Sequence, residues 1–283
     1  MWQFFLVFLP AAALLIVVYA FLVEPYRIEV THTSVEAPLA MPLRIAHLSD
    51  LHTSGLGRRE RQLVLLLEAE QPDVILITGD TLDRSNDYEK IRPVLSHLRA
   101  PLGVWLVRGN SELYSSRRDE EAFYSQLGIQ FLTNQARPLR PDIWLVGLDG
   151  ELDKPPKLDT ALCAVPPDAY VIAAFHLPAF FDKVAGYVHL AFAGHTHGGQ
   201  IRVPFAAASQ LPRGSGRYVE GWYTERGSRM YVSRGIGTSF LPIRFRCAPE
   251  LPIITVGPSS VRPSADDVVF AVSNGWPVRS RSS

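Results

Sequence analysis

The chain has 283 residues, of which 47% are hydrophobic, enough to bury the core of one large domain. Lys+Arg and Asp+Glu both number 28; that balance gives no global basic field for a nucleic-acid partner and no acidic solvating tail. The two cysteines, Cys163 and Cys247, lie far apart with no CxxC pair, which argues against a disulfide scaffold and against a thiolate zinc site.

In chain order, residues 4–23 carry no charge and are long enough for a bilayer core, so 1–23 are expected to form a single-pass membrane anchor. A membrane helix tolerates Pro10, and Trp2, Tyr19 and Tyr26 fall where aromatic belts are expected. The competing assignment is a cleaved signal peptide with Val18-Tyr19-Ala20 as the cleavage site; no Lys or Arg precedes the apolar run, which speaks against it. Arg27 after the span favours a cytoplasmic catalytic domain. Residues 24–41, with Pro25 and Pro38, read as a linker, and 42–257 as the folded domain.

Within that domain short apolar runs alternate with amphipathic stretches. Strands are expected at 43–48, 74–78, 103–107, 129–132, 143–148, 170–175, 189–193, 230–233 and 253–256, and helices at 58–70, 88–98 and 118–127. The interleaving implies an α/β domain with covered sheets. Residues 258–283 read as a flexible tail with one short element at 268–272.

Five segments at the ends of apolar strands carry the chemistry. They are Ser49-Asp50-Leu51-His52, Gly79-Asp80, Gly109-Asn110-Ser111-Glu112, Phe175-His176 and Gly194-His195-Thr196-His197. Ligands in open α/β sheets gather at strand carboxyl ends. Carboxylate, amide and imidazole donors without thiolates suit divalent ions such as manganese, iron or zinc. In an extended backbone, residues two apart point the same way, so Asp50 with His52 and His195 with His197 are each expected to face one centre. Gly79, Gly109 and Gly194 are expected to let the backbone approach it. Any one segment alone is a common pattern; the ordered set is what carries weight.

That ordered set resembles the calcineurin-like metallophosphoesterases, whose motifs run D-x-H, G-D, G-N-H-[DE], a lone His, then G-H-x-H. The resemblance covers about 43–256. It extends to His195-Thr196-His197-Gly198-Gly199-Gln200, Tyr231-Val232-Ser233-Arg234-Gly235-Ile236-Gly237 and Pro249-Glu250-Leu251, which look like a bacterial membrane-associated or exported subgroup. It implies a four-layer α/β/β/α sandwich and hydrolysis of phosphoester or phosphoanhydride bonds at two divalent ions. Asp50, His52 and His197 would hold one ion, Asn110, His176 and His195 the other, and Asp80 would bridge them, with Asp80, Asn110 and His195 nearest the chemistry.

One position departs from the motif: Ser111 stands where the family carries a His that is a candidate proton donor to the leaving group. A hydroxyl is a poor general acid near neutral pH. The departure therefore predicts a preference for leaving groups stable as anions, in particular pyrophosphate-type bonds. With the expected anchor, a nucleotide-linked membrane lipid such as UDP-diacylglucosamine would satisfy both features. The alternatives are a broad phosphodiesterase or phosphomonoesterase on small soluble substrates, or a non-catalytic metal-binding membrane scaffold. Ser111, Arg213 and Arg217 are candidate substrate contacts. Arg58, Arg59 and Arg61, and the apolar run 203–208, could also meet substrate or could be ordinary surface and packing. Asp83 and Glu112 would orient ligand imidazoles or cap local turns, and His47 reads as a core histidine or a support for its neighbours.

Overall fold

The computed structural model describes residues 2–115, 119–151, 153–203, 211–258 and 268–270. Helix α1 (Trp2–Leu22) leads through a 3-10 turn at Glu24–Tyr26 into β1 (Glu29–Glu36). Then come β2 (Leu43–Leu48), α2 (Arg58–Glu70), β3 (Val74–Ile77), α3 (Tyr88–Leu95) and β4 (Val104–Val107). A single turn α4 (Asn110–Leu113), α5 (Glu120–Gln126) and β5 (Ile129–Leu132) complete the first half. The second half runs β6 (Gln135–Arg140), β7 (Ile143–Gly147), α6 (Leu158–Leu162), β8 (Tyr170–Ala174), α7 (Phe181–Val184), β9 (Leu190–Ala193), β10 (Gly221–Glu225) and β11 (Ser228–Val232). Strands β12 (Glu250–Gly257) and β13 (Val268–Phe270) then return to the first sheet.

Two mixed sheets result, ordered β13-β1-β12-β2-β3-β4-β5 and β10-β11-β9-β8-β7-β6. Strands β2 to β5 are mutually parallel, as are β7, β8, β9 and β11. Their sequences are near-continuous apolar runs because both faces are covered. The period-two alternation divides them cleanly. Leu43 and Ile45 of β2 join Ile172 and Ala174 of β8 in one apolar cluster between the sheets. Ala46 and Leu48 turn the other way, onto Leu63 and Leu67 of α2, Ile91 of α3 and Phe123 of α5. Val171 and Ala173 face Leu162 of α6 and Phe181 of α7. Helices, sheet, sheet and helices are thus stacked on three cores.

Several expectations change. Among the described residues no helix is long and apolar enough to cross a membrane, which overturns the expected transmembrane helix and the membrane localisation, with its cytoplasmic catalytic domain. The end of α1 is instead packed on the domain: Ala20 is buried, and its carbonyl accepts from the Arg244 amide at 3.1 Å. The stretch 24–41, read as a linker, contains β1, which pairs in parallel with β12 along all eight residues, and the buried Glu24 and Pro25. Its polar alternation hid it, as did the edge positions of β6, which carries Pro138, and β10. Of the predicted tail, Val268–Phe270 pairs with β1, and 259–267 and 271–283 lie outside the described residues.

Candidate metal centre

Five parallel strands, three in one sheet and two in the other, end at one place. Asp50 and His52 follow β2, Asp80 follows β3, Asn110 follows β4, His176 follows β8, and His195 and His197 follow β9. The backbone there is not extended. Asp50, His52, Asp80, His195 and His197 have φ of 52°, 38°, 54°, 73° and 51°. Left-handed conformations are uncommon outside glycine and cluster at functional sites. The two x-spaced pairs therefore converge through bent backbone, and the alternation expected from an extended chain is not the reason they meet. At Gly194 any side chain is excluded, since a Cβ would sit 1.7 Å from Ser49 Oγ.

The side chains converge closely. His52 Nε2 lies 3.2 Å from His197 Nε2 and 3.4 Å from Asp80 Oδ2. The same Asp80 oxygen is 3.4 Å from His176 Nε2, and His197 Nε2 is 3.4 Å from Asp50 Oδ1. His195 Nδ1 lies 3.1 Å from His176 Nε2 and 3.2 Å from Asn110 Nδ2. In two groups, Asp50 with His52 and His197, and Asp50 with Asp80 and His176, all donor atoms fall within 4.8 Å of one another. All seven predicted ligands are brought together.

Backbone carbonyls set the imidazole orientations. The Nδ1–H groups of His52 and His176 donate to Leu82 O at 3.0 Å and Thr78 O at 2.7 Å, turning Nε2 inward. His195 Nε2–H donates to Arg213 O at 3.0 Å, turning Nδ1 inward. Such outer partners fix the tautomer and the ring plane. Inward-facing lone pairs, gathered with two carboxylates and one amide, fit divalent cations.

Electrostatics divide the site: two imidazoles are held neutral, whereas, against burial, Asp80 raises His176 to about 10, so that its inward nitrogen carries a proton that an ion would displace. Burial holds His195 down to about 4 and His197 well below its ordinary value, so both imidazoles are neutral, as metal ligation requires. Burial pushes Asp50 up. Burial would also push Asp80 up, but His176 and His52 outweigh it and hold that carboxylate low, while Asp80 raises His176 against burial.

Glu112 proves more central than its sequence position suggests. It is 1% exposed, and its carboxylate accepts from the amides of Gly109 (2.8 Å), Asp80 (2.9 Å) and Thr81 (2.8 Å) and from Thr81 Oγ1 (2.6 Å). It braces the loops that carry Asp80 and Asn110, and no imidazole. The motif position was the available signal. Nothing local announced Ser49, whose hydroxyl donates to Asp50 Oδ2 at 2.6 Å.

The candidate substrate contacts fare unevenly. Ser111 is at the centre: its amide donates to Asp80 Oδ1 at 2.7 Å, and its buried Oγ has no hydrogen-bond partner among the described residues. Arg213 reaches the centre through its carbonyl, which accepts from His195. Arg217 is exposed and occupied by Glu225, Asp182 and the Tyr218 ring. Asp83 caps Ser85 in a turn. Arg58 stacks on Tyr26, Arg59 pairs with Glu60, and Arg61 donates to Leu56 O. Of the apolar run 203–208, Val203 is exposed and the rest lies outside the described residues. His47 is fully buried, with Nε2 2.8 Å from Thr78 Oγ1.

Sequence comparison with known proteins identifies the family. The pattern of the family described as calcineurin-like phosphoesterase matches residues 43–199. The chain is 30% identical over 256 residues to the metallophosphoesterase YkuE of Bacillus subtilis, covering 84% of this chain and 88% of that one. It is 29% identical over 228 residues to the phosphodiesterase YaeI of Escherichia coli, covering 76% and 82%. A dimetal phosphatase from Danio rerio superposes with a TM-score of 0.44 at 14% identity, over 69% of this chain and 88% of that one.

Proposed function

The chain belongs to the calcineurin-like phosphoesterase family and is a phosphoester hydrolase with two divalent metal ions as cofactor; from that premise we propose that it cleaves phosphodiester or phosphoanhydride bonds whose leaving groups are stable as anions. The observation that carries this reading is the complete ligand set beside a hydroxyl, Ser111, where the family motif has an imidazole.

Asp50, His52 and His197 would hold one ion in this reading, and Asn110, His176 and His195 the other. Asp80 would bridge them, a role supported by the equal 3.4 Å separations of its Oδ2 from His52 and His176. The bound ions supply Lewis-acid activation of the phosphoryl group and acidify water. The chain's own part is positional. Bent loops fix the carboxylates, and carbonyls fix the imidazole planes. Ser111 Oγ, buried and without a hydrogen-bond partner among the described residues, offers a hydroxyl in place of the motif imidazole. A serine hydroxyl ionises far above neutral pH, so proton delivery to an alkoxide is poor.

Within this class, the likeness to YaeI favours phosphodiesters. A nucleotide-linked lipid diphosphate such as UDP-diacylglucosamine also fits, because its nucleotide leaving group needs little protonation. A metal-binding scaffold without turnover is the reading least supported, since all seven candidate ligands converge on one place.

The test is hydrolysis by manganese-loaded protein of bis(p-nitrophenyl) phosphate, a UDP-linked lipid diphosphate and alkyl monoesters. Turnover of the activated diester or the diphosphate well above the alkyl esters is expected. Equal efficiency across the panel would remove the leaving-group argument. Two bound ions with no turnover on any substrate would favour the scaffold.

A further inference from the structure

Arg244 is 0% exposed, yet no carboxylate lies within ion-pair distance of it among the described residues. A buried charge without an anion is costly, and burial lowers this guanidinium to about 10. Its nitrogens are taken up by main-chain carbonyls. Nε donates to Gly237 O at 3.0 Å and Nη1 to Cys247 O at 3.0 Å. Nη2 reaches Arg234 O at 2.9 Å, Gly235 O at 3.0 Å and Gly237 O at 2.6 Å.

What those carbonyls belong to gives the cluster its meaning. The Ile236 and Gly237 amides donate to Ser49 O at 3.0 Å and Asp50 O at 2.7 Å. A Cβ on Gly235 would stand 2.8 Å from Asp50 Cβ, so this strap lies directly behind Asp50. Cys247 Sγ donates to His197 O at 3.3 Å. One planar fork thus ties together the strap behind Asp50 and the residue that holds the His197 carbonyl.

We propose that Arg244 is a positioning residue for the ion held by Asp50, His52 and His197, acting through the 234–237 strap and Cys247. This rests on the ligand assignment proposed above. The ammonium of a lysine can satisfy charge but not the coplanar array of carbonyls, because its donors radiate from one point.

The test uses the full chain, stripped of metal and titrated with Co2+, whose visible bands report ligand geometry. Arg244→Lys is expected to weaken one of the two ions by about 10- to 100-fold, the range for lost outer-shell support, and to alter its bands while the other ion binds as before. Leu162→Ala, a core truncation on the far sheet, is the control for general destabilisation and should leave both affinities unchanged. An Arg244→Lys protein that melts lower but binds both ions like the wild type would overturn the proposal. Should Arg244→Lys not fold, Cys247→Ala decides: selective weakening of the same ion supports the proposal, and unchanged binding of both refutes it. Wild-type protein that takes up fewer than two ions would instead refute the ligand assignment itself.

Discussion

The two halves of the metal centre are braced by opposite charges. Under Asp80 and Asn110 a single buried anion, Glu112, gathers three amides and one hydroxyl. Behind Asp50 and His197 a single buried cation, Arg244, gathers the carbonyls of four residues. The difference follows from which backbone groups each loop strands. The loop after β3 and the first turn of α4 point amides inward, as a helix start leaves its N–H groups unpaired. The strap after β11 points carbonyls inward. Bent backbone cannot pair these groups in a ladder, and a buried unpaired group is costly. One multidentate charge satisfies several at once.

Substitutions can break or sharpen that contrast. The largest effect should come from Asp80→Ala, which removes the carboxylate shared by both halves; turnover should fall by about 1000-fold or more, read by steady-state hydrolysis of bis(p-nitrophenyl) phosphate. Ser111→His lies on the anion-braced side. It should raise turnover of alkyl monoesters by about 100-fold, the lower end for a positioned acid, while changing aryl diester turnover little. An equal gain on both substrates would mean that the new side chain acts other than as an acid.

Glu112→Gln probes the anionic brace alone. An amide NH2 would then face amide donors, and affinity for the ion assigned in the proposal to Asn110, His176 and His195 should weaken by about 10-fold or more. Isothermal titration should show the other ion less affected, the mirror image of the Arg244→Lys result. Equal losses at both ions would mean the halves are one mechanical unit.

The smallest effect should spare the contrast. His47 is fully buried and held neutral, lowered by burial from 6.5 to about 3. A folded value below the unfolded one gives stability that is present above pH 6.5 and lost as pH falls toward 3. The loss should be about 1.4 kcal/mol per pH unit. Urea unfolding at pH 7 and pH 4.5 should therefore show a steeper loss in wild type than in His47→Gln. His47 holds Thr78, whose carbonyl orients His176, and it precedes Asp50 on β2. Both halves should weaken together.

The sequence by itself determined the strands β2, β3, β4, β8 and β9, because double-sided burial writes a continuous apolar run, and it placed the seven candidate ligands just after them. It also singled out Ser111, where the resemblance leads us to expect a histidine. It misjudged the N-terminal region. An uninterrupted apolar stretch reads as a membrane span on composition alone, whereas the packing of Ala20 and Glu24 and the pairing of β1 with β12 depend on partners more than two hundred residues away. Tertiary structure alone decided how the ligands converge. Left-handed backbone at five of the seven is held by contacts from other loops and could not be read from residue alternation. Glu112 and Arg244 follow the same rule. A lone charge in a sequence looks like surface, and only the fold shows which stranded amides or carbonyls it is there to satisfy.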